Sequence, residues 1–81
     1  MERESILEKL TGIFRKVFDN NSLEVTESVT ANDVEKWDSL TNIIMVDEVE
    51  KEFGIKFKLK EIMKLRNVGD LITVIQDHSS Q

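Results

Sequence analysis

The run Trp37-Asp38-Ser39-Leu40 sets a carboxylate and a hydroxyl directly before the most apolar helical pattern of the chain. Asp38 is a natural N-cap, because its carboxylate can accept the free amides of a first helical turn. Ser39 then falls at the first helical position, where a side chain can point away from the rest of the protein. The amides of such a turn are unpaired, and the helix dipole adds partial positive charge beside them. A phosphate ester on Ser39 Oγ would sit in a favourable field there. No base stands near this hydroxyl in sequence, and the single His, His78, is in the tail. Ser39 is therefore a poor self-activated nucleophile and a fair target for modification by another enzyme. The plain alternative is a helix start and nothing more, since Asp and Ser are both common there.

Other chemistry finds little support. With no Cys and one His, the 81-residue chain lacks thiolate metal sites, cysteine nucleophiles and most His-based triads. "DNNSLEVTESVT" fails as an EF-hand loop: Glu24 stands where Gly is needed and Thr30 where a bidentate Glu is needed. We expect no catalytic residues and no metal. The net charge of -5 argues against nucleic acid as a partner. No apolar run approaches the ~18 residues of a membrane span, and no signal-peptide pattern opens the chain. A cytoplasmic, monomeric protein is the expectation. The charge is unevenly placed: residues 37–53 carry five acidic side chains and one basic, and residues 54–66 the reverse.

These residues need elements to hold them. A chain this short forms one domain, with a core of about 4–77 and a frayed tail at 78–81, burying only about 60% of its unfolded surface. Ile6, Leu7, Leu10, Ile13, Phe14, Val17 and Phe18 predict a helix over 4–18, with Ser5 and Glu8 as a capping box. Residues 19–37 read as a long loop tacked down by Leu23, Val25 and Val29. The second helix, 39–53, takes Leu40, Ile43, Val46, Val49 and Phe53 as its core stripe and stops at Gly54. Ile55, Phe57 and Leu59 then alternate with lysines, as an extended connection with its apolar side on the core. A short helix at 60–65 directs Ile62 and Leu65 inward. Asn67 caps a last helix, 68–77, that buries Val68, Leu71, Ile72 and Ile75. The fold class is all-α: a small four-helix bundle, three longer helices and one short, with a long loop between the first two.

Three pieces stand in order: Asp38-Ser39-Leu40, Glu52-Phe53-Gly54-Ile55 and Asn67-Val68-Gly69-Asp70-Leu71. With them the chain resembles an acyl carrier protein, or a peptidyl or aryl carrier domain of the same fold, over roughly residues 4 to 77. The resemblance implies that Ser39 carries 4'-phosphopantetheine through a phosphodiester, so that the working sulfur comes from the cofactor. It also implies that acyl groups ride as thioesters for fatty-acid, polyketide or related biosynthesis. The implied partners are a phosphopantetheinyl transferase, an acyl-loading ligase or acyltransferase, and a ketosynthase or other acyl-processing enzyme. Asp38 would cap the helix and help the transferase recognise the site. Leu40, Thr41, Ile44, Asp47, Glu48 and Lys51 form the expected partner surface. Val46, Val49, Phe57, Ile62 and Leu65 could line a space for the acyl chain between the second and third helices.

Some residues depart from the family pattern. Trp37 replaces the frequent Gly before the Asp, and we expect it to anchor the long loop by packing. Thr41, Ile44 and Lys51 stand where acids are frequent, while Asp47 and Glu50 keep the pattern. Ile44 has mostly polar helical neighbours and should face outward. These departures favour a dedicated carrier over a housekeeping fatty-acid one. The competing reading, from another class, is an unmodified helical adaptor that binds a partner through residues 38–51. A DNA-binding helix-turn-helix has only the short consecutive helices behind it.

Overall fold

The computed structural model describes residues 2–79. It contains four helices: α1 (Arg3–Val17), α2 (Ser39–Phe53), α3 (Leu59–Met63) and α4 (Val68–Ser79). Among the described residues there is no strand, only an isolated bridge between Thr30 and Asn67. The expected all-α, four-helix architecture with its long first loop is what forms.

The first helix is the hub, packing against both α2 and α4. Its inward face is Ile6, Leu10, Ile13 and Phe14, spaced at three and four residues. It starts earlier than expected. Glu2 is the N-cap residue and makes no side-chain cap, so the Ser5–Glu8 box does not form. Tertiary bonds support the helix start, one residue earlier, instead. The Arg3 guanidinium donates to Glu27 at 2.6 Å, Gln76 at 3.0 Å, Thr73 at 3.1 Å and the Gly69 carbonyl at 3.2 Å. One side chain thus joins α1, the long loop and the start of α4.

The loop is fastened along its length. Arg15 Nε donates to the Leu23 carbonyl at 2.9 Å. The Val68 and Gly69 amides donate to the carbonyls of Val29 and Glu27 at 2.9 and 2.8 Å. Those amides open α4 and would otherwise lack partners. A Cβ at Gly69 would lie 3.2 Å from the Glu27 carbonyl oxygen, so this approach favours glycine. Val25 is buried, and Leu23 and Val29 pack on the core as expected. Val34 is a further buried anchor. Trp37 sets its ring edge-on to Phe14 at 5.2 Å and tilted against Phe18 at 5.8 Å.

Helix α2 is turned differently from the expected stripe. Met45, Val46 and Val49 are buried. Leu40 and Ile43 are not core: they are 67% and 65% exposed. The position one turn in is occupied by Asn42, whose Oδ1 accepts the Trp37 indole N–H at 2.9 Å. A polar bond thus replaces the apolar pair that often fixes a helix entry. Gly54 closes the helix with φ 65 and ψ 37, and the Ile55 amide donates to the Glu50 carbonyl at 3.1 Å.

The connection from 55 to 58 is extended, with Ile55 and Phe57 packed against the core. Leu59 does not continue that face. It begins α3 and is 72% exposed. Helix α3 buries no residue fully, while Ile62 and Leu65 rest on the core. Asn67 caps α4, its Oδ1 accepting the Asp70 amide at 2.8 Å. Helix α4 runs two residues past its expected end, so His78 belongs to it rather than to a frayed tail. The His78 ring meets the Glu61 carboxylate of α3 at 2.9 Å and stacks near Phe57, at 6.0 Å between centroids. Residues 80 and 81, also assigned to the tail, lie outside the described residues.

Candidate functional site

The site begins with backbone geometry. Asp38 is extended, at φ -128 and ψ -171, and the helix starts at the next residue. One oxygen of its carboxylate accepts both the Leu40 and Thr41 amides at 2.9 Å. Thr41 returns the bond: its Oγ1 accepts the Asp38 amide at 2.8 Å and donates to the Lys36 carbonyl at 2.7 Å. This is a reciprocal capping box with Thr at the third position. Thr41, assigned to the partner surface, is half-buried and its hydroxyl serves the helix start.

The amides of Leu40 and Thr41 hold the Asp38 carboxyl below the ordinary range, the Thr41 amide most strongly. A depressed value contributes stability above the unfolded pKa of about 4, lost as pH falls through the folded value. Asn also caps well, so Asp38→Asn should keep the helix start and remove this titration. We expect the variant to melt a few degrees lower than the parent at pH 7. The two melting curves should converge as the pH drops below about 4. Thermal melts across a pH series check this, and a difference that does not shrink in acid would contradict it.

Ser39 sits where the sequence puts it, at the first residue of α2 and exposed. The expected field around it is changed, however. Two amides of the first turn are already taken by Asp38, which leaves Ser39's own amide and the helix dipole. The single His, His78, is engaged with Glu61 on α3. The hydroxyl opens onto a recess of about 270 Å³ lined by Ala31, Trp37, Asp38, Ser39, Asn42, Leu65 and Arg66. This recess is open and partly polar, and its donor set includes one guanidinium. An exposed primary alcohol at its rim fits a phosphate-linked group that leaves the protein surface.

Of the other expected surface residues, Leu40 and Ile44 are exposed. The acids of this face are largely occupied. Lys51 pairs with Asp47 at 3.0 Å and is held protonated chiefly by that contact. Lys16 reaches Glu48 at 3.5 Å, and Glu50 accepts the Phe57 amide at 2.7 Å. What this face offers uncompensated is apolar: Leu40, Ile43 and Ile44, with Leu59 and Met63 exposed on α3.

The residues expected to line an acyl space divide. Val46, Phe57 and Ile62 line an open groove of about 350 Å³ between α2 and α3, joined by Ile43, Asp47, Glu50 and Lys56. Val49 is wholly buried in the core, and Leu65 faces the recess beside Ser39 instead. Sequence reasoning missed Ile43 as a groove residue and Arg66 and Asn42 as neighbours of Ser39. The apolar run 43–46 hid the first. Arg66 was one of five basic residues in a block, with nothing in its spacing to single it out.

Residues 8–75 match the model of the family described as "Phosphopantetheine attachment site". The acyl carrier protein of Rickettsia bellii (strain RML369-C) is 33% identical, over 93% of this chain and 95% of its own. That of Thermotoga maritima is 31% identical over 91% of each chain. Among solved structures, the solution NMR structure of a holo acyl carrier protein from Geobacter metallireducens superposes with a TM-score of 0.86. It is 42% identical, covering 91% of this chain and 85% of that one.

Proposed function

The chain belongs to the acyl carrier protein family, and from that premise we propose that Ser39 is the residue to which its 4'-phosphopantetheine is attached. The observation that carries this is the exposed Ser39 hydroxyl, at the first position of a firmly capped helix and on the rim of an open recess. When bound, the cofactor supplies a terminal thiol that holds acyl groups as thioesters for delivery to other enzymes. The protein's own residues do simpler work. Asp38 and Thr41 fix the helix start, so the hydroxyl has one position. Trp37 and Asn42 fix the loop that leads into it. Among the described residues, His78 is bonded to Glu61 and the Asp38 carboxylate to the first-turn amides, which supports a phosphopantetheinyl transferase as the source of the base.

The chain acts as a carrier and not as a catalyst in this reading. Its α2 face meets acyl-processing enzymes through Leu40, Ile43 and Ile44, ringed by the paired charges Asp47, Glu48 and Lys51. That surface is more apolar than a uniformly acidic docking helix, which supports a dedicated carrier over a housekeeping one. The groove walled by Val46, Phe57 and Ile62 is the place for an acyl chain to rest. Family membership does not favour the unmodified adaptor.

The test is direct. Coexpression with a broad-specificity phosphopantetheinyl transferase should raise the intact mass by one phosphopantetheinyl group. Peptide mapping should place the gain on Ser39, and Ser39→Ala should abolish it. A gain that survives Ser39→Ala would remove the assignment, as would no gain at all.

A further inference from the structure

The capping geometry creates a charge problem at Ser39. A phosphodiester there carries a full negative charge and stands next to the ionised Asp38. The donors usually invoked for such an anion are first-turn amides, and here the Asp38 carboxylate has taken those of Leu40 and Thr41. Ser39's own amide and the helix dipole remain, so the rest of the compensation falls to another element.

The recess beside Ser39 contains one basic lining residue, Arg66, which shares its walls with Ala31, Trp37, Asp38, Asn42 and Leu65. Its backbone is held: the Arg66 amide donates to Asp70 Oδ2 at 3.0 Å, and Leu65 rests on the core. Its guanidinium is uncommitted. Arg3 spends its guanidinium on Glu27, Thr73, Gln76 and Gly69, and Arg15 binds the Leu23 carbonyl. Among the described residues, Arg66 alone of the three arginines has no side-chain hydrogen bond or ion pair to the protein. Arg presents a planar fork of donors that matches phosphate oxygens. The neighbouring Lys64 does not line the recess.

We propose that Arg66 is the counter-ion of the phosphodiester on Ser39, receiving its oxygens in the recess and keeping the first part of the arm against the Trp37 side. Arg66 is a positioning residue here, and the inference rests on Ser39 being the attachment point. It assigns the connection between α3 and α4 a role in orienting the arm. It also explains how a helix start with two of its first-turn amides already bonded to Asp38 can carry a second anion.

The experiment uses the holo protein, loaded by a transferase and verified by intact mass before each measurement. Phosphorus-31 NMR reads the phosphodiester itself. In the parent, the resonance should move with added NaCl as screening shortens from ~10 Å at 0.1 M to ~3 Å at 1 M. Its relaxation should show restricted local motion. Arg66→Gln should remove about half or more of the salt-dependent shift and free the local motion. Arg66→Lys should fall between, keeping charge without the fork. Lys64→Gln should match the parent. Fully loaded Arg66→Gln with an unchanged signal would overturn the inference, as would an equal effect from Lys64→Gln. A parent chain that accepts no arm would instead overturn the Ser39 assignment, and this inference with it.

Discussion

Trp37→Ala is expected to lower the melting temperature by roughly 12–24 °C. Truncating a buried Trp costs ~3–5 kcal/mol, and Trp37 is only half-buried, so about 3 kcal/mol is the appropriate figure. A domain of this size loses about 4–8 °C for each kcal/mol. The loss has two separable parts. The ring stacks edge-on to Phe14 and lies against Phe18. The indole N–H bonds Asn42 at 2.9 Å. Trp37→Phe keeps a ring and drops the bond, so it should cost only about 1 kcal/mol. Thermal unfolding followed by circular dichroism checks both. Equal losses in the two variants would mean that the hydrogen bond, and not the stacking, holds the loop.

The second expectation concerns which side of α2 faces inward. Met45→Asp should abolish cooperative folding at 25 °C, and Ile43→Asp should leave it intact. Met45 is fully buried, so the substitution loses ~2–5 kcal/mol of packing and places an unpaired carboxyl in the core for several kcal/mol more. A small domain has only about 5–15 kcal/mol of total stability. Ile43 is mostly solvent-exposed, so its substitution should change stability by about 0.5 kcal/mol or less. Chemical denaturation of the two variants separates the cases. A folded Met45→Asp beside an unfolded Ile43→Asp would mean that α2 is rotated by half a turn.

That pair of residues also shows what could be read in the sequence. The helix, its Asp38 cap and its Gly54 stop were legible because each depends on local chemistry. The rotation of α2 was not. Ile43, Ile44, Met45 and Val46 are four apolar residues in a row, so several stripes fit the helical period equally well. The choice is made by contacts from other elements, Trp37 bonding Asn42 and α1 packing against α2. Ser5–Glu8 failed for a similar reason: a good local capping pattern gave way to the long-range bonds of Arg3. Ser39 was legible by position. Its recess was not, because Ala31, Leu65 and Arg66 come from segments far apart in the chain.

Helix α3 buries no residue fully, and it is held by the side of Ile62, by Leu65 just beyond its end, by Glu61 bonding the Lys58 amide, and by the contact from Glu61 to His78. Opening it exposes little apolar surface, whereas opening α1 exposes the centre of the core. The two events therefore differ widely in free energy, and amide exchange would rank them as separate cooperative units. On the proposal that this groove holds the acyl chain, a wall that yields before the bundle does can widen for cargo of different lengths while the hub keeps its shape.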